Sequence, residues 1–212
     1  MSTSPASPQD QNTRLTIYRG FGPFNECRQL IDLAENKQTT YAFAFIAAVR
    51  ALEEFIDEMR LGLEGCAAER REFEDAVYLS KEVKDSAALA FKIQVLALSL
   101  MGRPFPRGEQ LMQDFTALVE IRNQMVHPKT VVLRPTPRTN LPGFLAHLQN
   151  RRIIGPVPPA LAVNLPQWLY HKPVAEWALA AATAMRRALF DAVPESNLKT
   201  ILRRTHPDLA GS

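Results

Sequence analysis

A helical fold is indicated most clearly by residues 109–128, which read EQLMQDFTALVEIRNQMVHP. Apolar side chains recur every three or four residues here, a spacing typical of one face of an α-helix that packs against other helices. Two such lines run along the stretch, through Leu111, Phe115 and Leu118 and through Met112, Phe115 and Val119. Both lead next to Arg122, so a guanidinium stands where the pattern favours an apolar side chain. Because an unpaired buried charge is costly, we expect Arg122 to contact a carboxylate, a helix C-terminus or a bound anion.

Three more long helices are predicted from the same periodicity, and no stretch alternates as a strand would. The first runs from Thr39 or Thr40 to about residue 61, and its apolar side chains step by four and three. The second covers about residues 67–101. Its second half, from residue 87 onward, is nearly all apolar and is expected to be buried almost all round. Pro104 and Pro106 end it, since proline cannot continue the hydrogen-bond ladder. The last long helix covers about residues 174–192.

Shorter helices are expected at about 26–35, 141–152 and 197–204, the last capped by Ser196. We therefore predict an all-α fold, a bundle of four long helices with a long proline-rich connection before the last one. The predicted organisation is a disordered tail at 1–13, one helical domain at 14–205 and a C-terminal tail at 206–212. Residues 129–172 form the proline-rich, basic connection within that domain.

The 212 residues carry a net charge of only +3, but the charge is unevenly distributed. No Asp or Glu occurs from Ile121 to Ala175, whereas 11 acids lie between Glu53 and Asp85. The interval without acids predicts a positive surface that attracts phosphate-bearing partners, although a solvated loop that merely lacks acids remains the alternative. Two distant cysteines, no secretory signal and no apolar run long enough for a bilayer favour a cytoplasmic protein without a membrane partner.

The sequence around Arg122 resembles the HEPN superfamily (higher eukaryotes and prokaryotes nucleotide-binding domains). Members carry an Arg, an adjacent polar residue and a His after four to six intervening residues, and Arg122, Asn123 and His127 match this motif. The resemblance spans about twenty positions, and it implies a compact helical bundle that often acts as a dimer. Many members are metal-independent ribonucleases that serve as toxins or antiviral effectors, which implies a toxin–antitoxin or phage-defence role. Others are non-catalytic modules.

These residue types suit RNA cleavage without a metal or any other cofactor. A His that titrates near neutrality can exchange a proton with the 2′-hydroxyl or the 5′-oxygen, and an Arg can stabilise the charged phosphorane. We therefore predict catalysis by Arg122, Asn123 and His127, a 2′,3′-cyclic phosphate product, and RNA contacts from Lys129, Arg134 and Arg138. On an ideal helix, Arg122 and His127 lie about 140° apart. Either His127 leaves the helical conformation because it precedes Pro128, or Arg and His from two chains meet across a twofold interface. The second alternative agrees with the resemblance, so we predict a homodimer with the two motifs in one cleft, and an antitoxin or regulatory protein as a further partner.

Alternatives stay open at each of these positions. The chain can instead be a non-catalytic helical module that binds nucleotide, RNA or a protein partner, or a bundle without any ligand. Arg122 can be bridged to Glu120, Asp114 or an acid of the second helix, and His127 can bond the last carbonyls of its own helix. Trp177 is expected in the core. Four further sets of side chains are expected to be solvated or at the surface: His147, His171 and His206; Glu53, Glu54, Asp57 and Glu58; Arg186 and Arg187; Arg203 and Arg204.

Overall fold

The computed structural model describes residues 22–35, 37–67, 89–126, 141–157 and 168–210. Within these ranges the chain is all-α, which confirms the predicted fold class. The helices are α1 (Gly22–Leu33), α2 (Gln38–Ala67), α3 (Leu89–Met101), α4 (Gln110–Val126), α5 (Gly143–Asn150), α6 (Lys172–Ala192), α7 (Asn197–Thr205) and α8 (Pro207–Ala210). The predicted N-terminal tail and the first part of the predicted second helix lie outside the described residues.

The core lies where α2, α4 and α6 pack against one another, with α1, α3 and α5 added around them. The apolar stripe predicted on α2 is buried throughout: Phe45, Val49, Leu52, Ile56, Met59 and Leu63. Trp177 of α6 is also in the core, as expected, and its ring lies 6.5 Å from that of Phe45. A periodic apolar stripe therefore identified the inward faces of these helices correctly.

Helix α3 differs from the prediction that its apolar half is buried all round. Phe91 is 56% exposed and Leu98 is 42% exposed, while Ile93 and Ala97 are completely buried. A helix with neighbours on one side covers one face only, and uniformly apolar composition does not indicate which face that is. The predicted end of the helix is confirmed, because Gly102 adopts a left-handed φ of 69° directly after Met101 and donates its N–H to Leu98.

The C-terminal segment is folded further than predicted. Ser196 accepts a hydrogen bond from the Lys199 N–H and begins α7, as the sequence indicated. Residues 206–210, predicted to be part of a tail, instead pack on the bundle through the buried side chains of His206 and Leu209. Gly62 of α2 permits the close approach of α7, since a Cβ at that position would lie 2.5 Å from Leu198 Cδ1.

Candidate functional site

Arg122 and Asn123 lie in the last turns of α4, and they are the described part of the predicted site. The Arg122 side chain is 34% exposed, and its Nη1 donates to the Asn123 Oδ1 at 3.3 Å. Ile121, one residue earlier, is completely buried. The buried stripe of α4 therefore passes through position 121, and the guanidinium lies at the border between the core and solvent. The side chain was expected to point into the apolar seam, and it lies about 100° around the helix from Ile121 instead.

A carboxylate of α2 faces this arginine. Arg122 Nη2 lies 3.7 Å from Glu53 Oε1, and both side chains are about one-third exposed. None of the acids considered from the sequence forms this contact, because Glu53 belongs to the first long helix. One turn along α2, Asp57 accepts a hydrogen bond from Lys92 of α3 at 3.0 Å. Glu53 and Asp57, which were expected to be solvated, therefore pair with cations of the neighbouring helices.

This geometry leaves the guanidinium able to bind an anion. A guanidinium has five N–H donors, and the described contacts use them only in a long ion pair with Glu53 and one bond to Asn123. A partly exposed pair in which the two atoms lie 3.7 Å apart contributes little free energy, so a phosphate can replace the carboxylate at small cost. Val126, one turn beyond Arg122, exposes 42% of its surface.

The remaining predicted site residues, His127, Lys129, Arg134 and Arg138, lie outside the described residues. Their predicted contacts with RNA and with Arg122 stay predictions. Within the described residues, no cluster of three or more His, Cys, Asp or Glu side chains could hold a metal ion. In the same part of the chain, no helix combines the length and the apolar character needed to cross a bilayer.

Asp114 forms a polar centre that the sequence analysis missed. Its Oδ1 accepts hydrogen bonds from His147 Nε2 at 2.6 Å and Trp177 Nε1 at 3.2 Å, and its Oδ2 lies 3.5 Å from Arg151 Nη2. These contacts join α4, α5 and α6. His147 was expected to be solvated, but its side chain is only 16% exposed. Trp177 was the sequence signal for this centre: it was expected in the core, and a buried indole N–H requires a hydrogen-bond acceptor nearby.

A second buried network surrounds Arg186 of α6, which is 1% exposed although a surface position was expected. Its guanidinium donates to both carboxylate oxygens of Asp208, at 2.7 and 2.9 Å, and contacts His206 Nδ1 at 2.8 Å. Since arginine only donates, His206 Nδ1 must accept, and Nε2–H must donate to Glu58 Oε2 at 2.8 Å. The network thus fastens the C-terminal residues to α2 and α6.

Aromatic rings complete this network. The Arg186 Cζ lies 4.6 Å from the ring centroid of Phe24 and 5.4 Å from that of Phe55, which are cation–π distances.

Comparisons of the chain with protein-family models, with curated proteins and with solved structures found no match. The candidate site accordingly stands on the contacts described above and on the motif in the sequence.

Proposed function

We propose that this protein is a metal-independent endoribonuclease of the HEPN type, in which Arg122, Asn123 and His127 act on the scissile phosphate. The observation that carries the proposal is the position of the Arg122 guanidinium, 34% exposed and hydrogen-bonded to the adjacent Asn123. An arginine at the border of the core is held in place by its stem, and its planar donors face a region that solvent can enter.

The proposed roles follow from the chemistry of each group. His127 takes the proton of the 2′-hydroxyl or gives one to the 5′-oxygen, and Arg122 stabilises the negative charge that develops on the phosphorane. Asn123 orients the guanidinium through its 3.3 Å contact. The products are a 2′,3′-cyclic phosphate and a 5′-hydroxyl. A role as a toxin or phage-defence effector, with an antitoxin or regulatory partner, belongs to the same proposal.

The test is RNA cleavage by the purified full-length protein in excess EDTA. We expect cleavage with a 2′,3′-cyclic phosphate on the 5′ product, and at least a hundredfold loss of rate in Arg122→Ala and in His127→Ala. Arg204→Ala and His171→Ala are the matched controls, since both replace exposed side chains outside the motif. Cleavage that persists in His127→Ala, or that requires a divalent cation, overturns the enzyme proposal.

The partly exposed Arg122 guanidinium, whose described contacts are a long ion pair with Glu53 and one bond to Asn123, also favours a second candidate, a non-catalytic module that binds RNA or a nucleotide. Glu53 lies 3.7 Å from the guanidinium and repels a phosphate that approaches it. Glu53→Gln removes the repulsion and keeps the shape, so we expect RNA affinity to rise several-fold at low salt. Glu54→Gln is the control, because Glu54 pairs with Arg50 on the exposed side of α2. Tight binding that depends on Arg122, without any cleavage, decides for the module.

A further inference from the structure

An open cavity of about 1100 Å³ lies between α3, residues 104–107, the first part of α4 and the start of α5. Typical small-molecule sites measure roughly 300–1,000 Å³. The volume is therefore sufficient for a nucleoside. No contact described for the Arg122 site uses this cavity.

The walls of the cavity suit a flat aromatic ring. Apolar side chains from every wall line it: Ala90, Phe91, Phe105, Met112, Ala117 and Phe144. Phe105 and Phe144 are buried and hold their positions, whereas Phe91 is 56% exposed. A partly exposed phenyl ring at an open cavity offers a stacking face, and such faces bind nucleobases.

Two opposite charges border the same cavity. Arg107 and Glu120 both line it, and no ion pair joins them in the part of the chain that the structure describes. A guanidinium only donates hydrogen bonds, and a carboxylate only accepts them. A planar ligand that matches both must present two acceptors on one edge and two donors on another.

Guanine is the nucleobase with this pattern. Its O6 and N7 accept two hydrogen bonds from an arginine, and its N1–H and N2 amino group donate to a carboxylate. Adenine and cytosine place a ring-nitrogen acceptor beside their amino group, which would face the carboxylate. Uracil has a single N–H on its pairing edge. A site in which Arg107 and Glu120 both bond the base would therefore select guanine by its pattern of donors and acceptors.

The cavity also lies close to the candidate phosphate contact. Glu120 precedes Asn123 by three residues on α4, and side chains at this spacing are neighbours, about 5–6 Å apart. Asn123 in turn contacts Arg122 at 3.3 Å. A nucleotide with its base in the cavity can thus extend its phosphate towards Asn123.

We propose that this cavity binds the guanine base of an RNA or nucleotide ligand, with Glu120 and Arg107 as the residues that determine base specificity. The inference rests on the proposed function, because it assigns the base next to the phosphate that Arg122 and Asn123 contact. His147 contributes a fixed wall, since Asp114 holds its Nε2 at 2.6 Å.

The test is calorimetric titration of the full-length protein with the 3′-monophosphates of guanosine, adenosine, cytidine and uridine. We expect the guanosine nucleotide to bind at least ten times more tightly than the other three. Glu120→Gln should abolish this preference, whereas Glu109→Gln should retain it, because Glu109 is exposed and does not line the cavity. Melting curves of both variants check that they are folded.

Equal affinity for all four nucleotides, no binding at all, or a preference unchanged in Glu120→Gln overturns this proposal. These outcomes are distinguishable from failure of the proposed function. Cleavage of RNA without a guanine preference would contradict the proposed base site and support the proposed enzyme. Guanosine binding that depends on Glu120, without any cleavage of RNA, would support the proposed base site and contradict the proposed enzyme.

Discussion

Arg122 and Arg186 show that the sequence pattern did not indicate which arginine is buried. Arg122 of α4 was expected within an apolar stripe and Arg186 of α6 at the surface, and the structure reverses both positions. Arg122 lies at the edge of the core and is 34% exposed in its side chain, whereas Arg186 is 1% exposed and bonds Asp208 and His206. The two arginines differ in their position around the helix, where consecutive residues are about 100° apart. Arg122 lies at the border of the buried face of its helix, and Arg186 lies within the buried face of its own.

Cys27 is a second residue whose chemistry depends on its surroundings. Its thiol is completely buried and donates to the Ala44 carbonyl at 3.0 Å. Burial raises the pKa of Cys27 from 9.0 to about 11, against smaller lowering effects of the Ala48 backbone and of the Arg28 charge. Only the thiolate is an effective nucleophile, so the folded protein should protect this side chain at neutral pH.

We predict that iodoacetamide at pH 8 leaves Cys27 unmodified in the folded protein and alkylates it in urea. Peptide mass spectrometry reads both states. Because the pKa of the Cys27 thiol is higher in the folded state, the buried neutral thiol contributes its full share to the free energy of unfolding below pH 9. This contribution is lost between pH 9 and about 11, where the thiol ionises first in the unfolded state. The stability advantage of the wild type over Cys27→Ala should therefore shrink by about 2 to 3 kcal/mol over that window. Equal alkylation in both states contradicts the prediction.

At the scale of elements, the end of α6 depends on a side chain of the next helix. Lys199 of α7 is 5% exposed and donates its ammonium to the carbonyl oxygens of Phe190 and Val193, at the end of α6. Burial lowers the pKa of Lys199, and the carboxylates of Asp191 and Glu195 oppose that effect. These bonds supply partners for carbonyls that a helix end leaves unpaired.

The short helices α7 and α8 are attached to the bundle by the Arg186 network. We predict that Arg186→Met lowers the free energy of unfolding by about 3 kcal/mol or more, because His206 and Asp208 lose their buried donor. Arg122→Met should cost less than about 1 kcal/mol, since its ion pair is partly exposed and long. Urea denaturation of the two variants measures both values.

Arg203→Met is a further control, because Arg203 and Glu195 form an exposed ion pair on the same C-terminal segment. We expect little change in its unfolding midpoint. A similar loss for Arg186→Met and Arg203→Met would mean that the buried network does not hold the C-terminal helices. Such a result would contradict the attachment of residues 206–210 through His206.

At the scale of the whole molecule, the proposed enzyme predicts a dimer with composite sites. Arg122→Ala and His127→Ala are each expected to be inactive alone. After mixing, unfolding and refolding together, half of the dimers carry one subunit of each kind. Each of these holds one intact Arg–His pair of two, so about a quarter of the wild-type activity should return. Recovery is read as the cleavage rate, and dimer mass by light scattering.

The composite site is contradicted if the mixed variants stay inactive while the wild type is active. Arg122→Ala mixed with Asn123→Ala is the matched control, because Arg122 and Asn123 contact each other within one chain at 3.3 Å. That mixture should recover nothing. A monomeric wild type that cleaves RNA would place the complete site in one chain.

The sequence by itself determined the all-α class, the buried stripe of α2, the C-terminal end of α3 and the start of α7. Each of these follows from local rules: the helical period, a glycine and prolines after Met101, and Ser196 before Asn197. These rules involve neighbours within a few residues, so the order of amino acids is enough to apply them.

Only the tertiary structure decided which charged side chains are buried. Glu58 meets His206 across 148 positions of sequence, and Asp114 meets Trp177 across 63. The Arg122–Glu53 contact likewise joins two helices. Whether a charge faces solvent or a partner depends on how helices pack, and the helical period of one segment carries no information about the side chains opposite it.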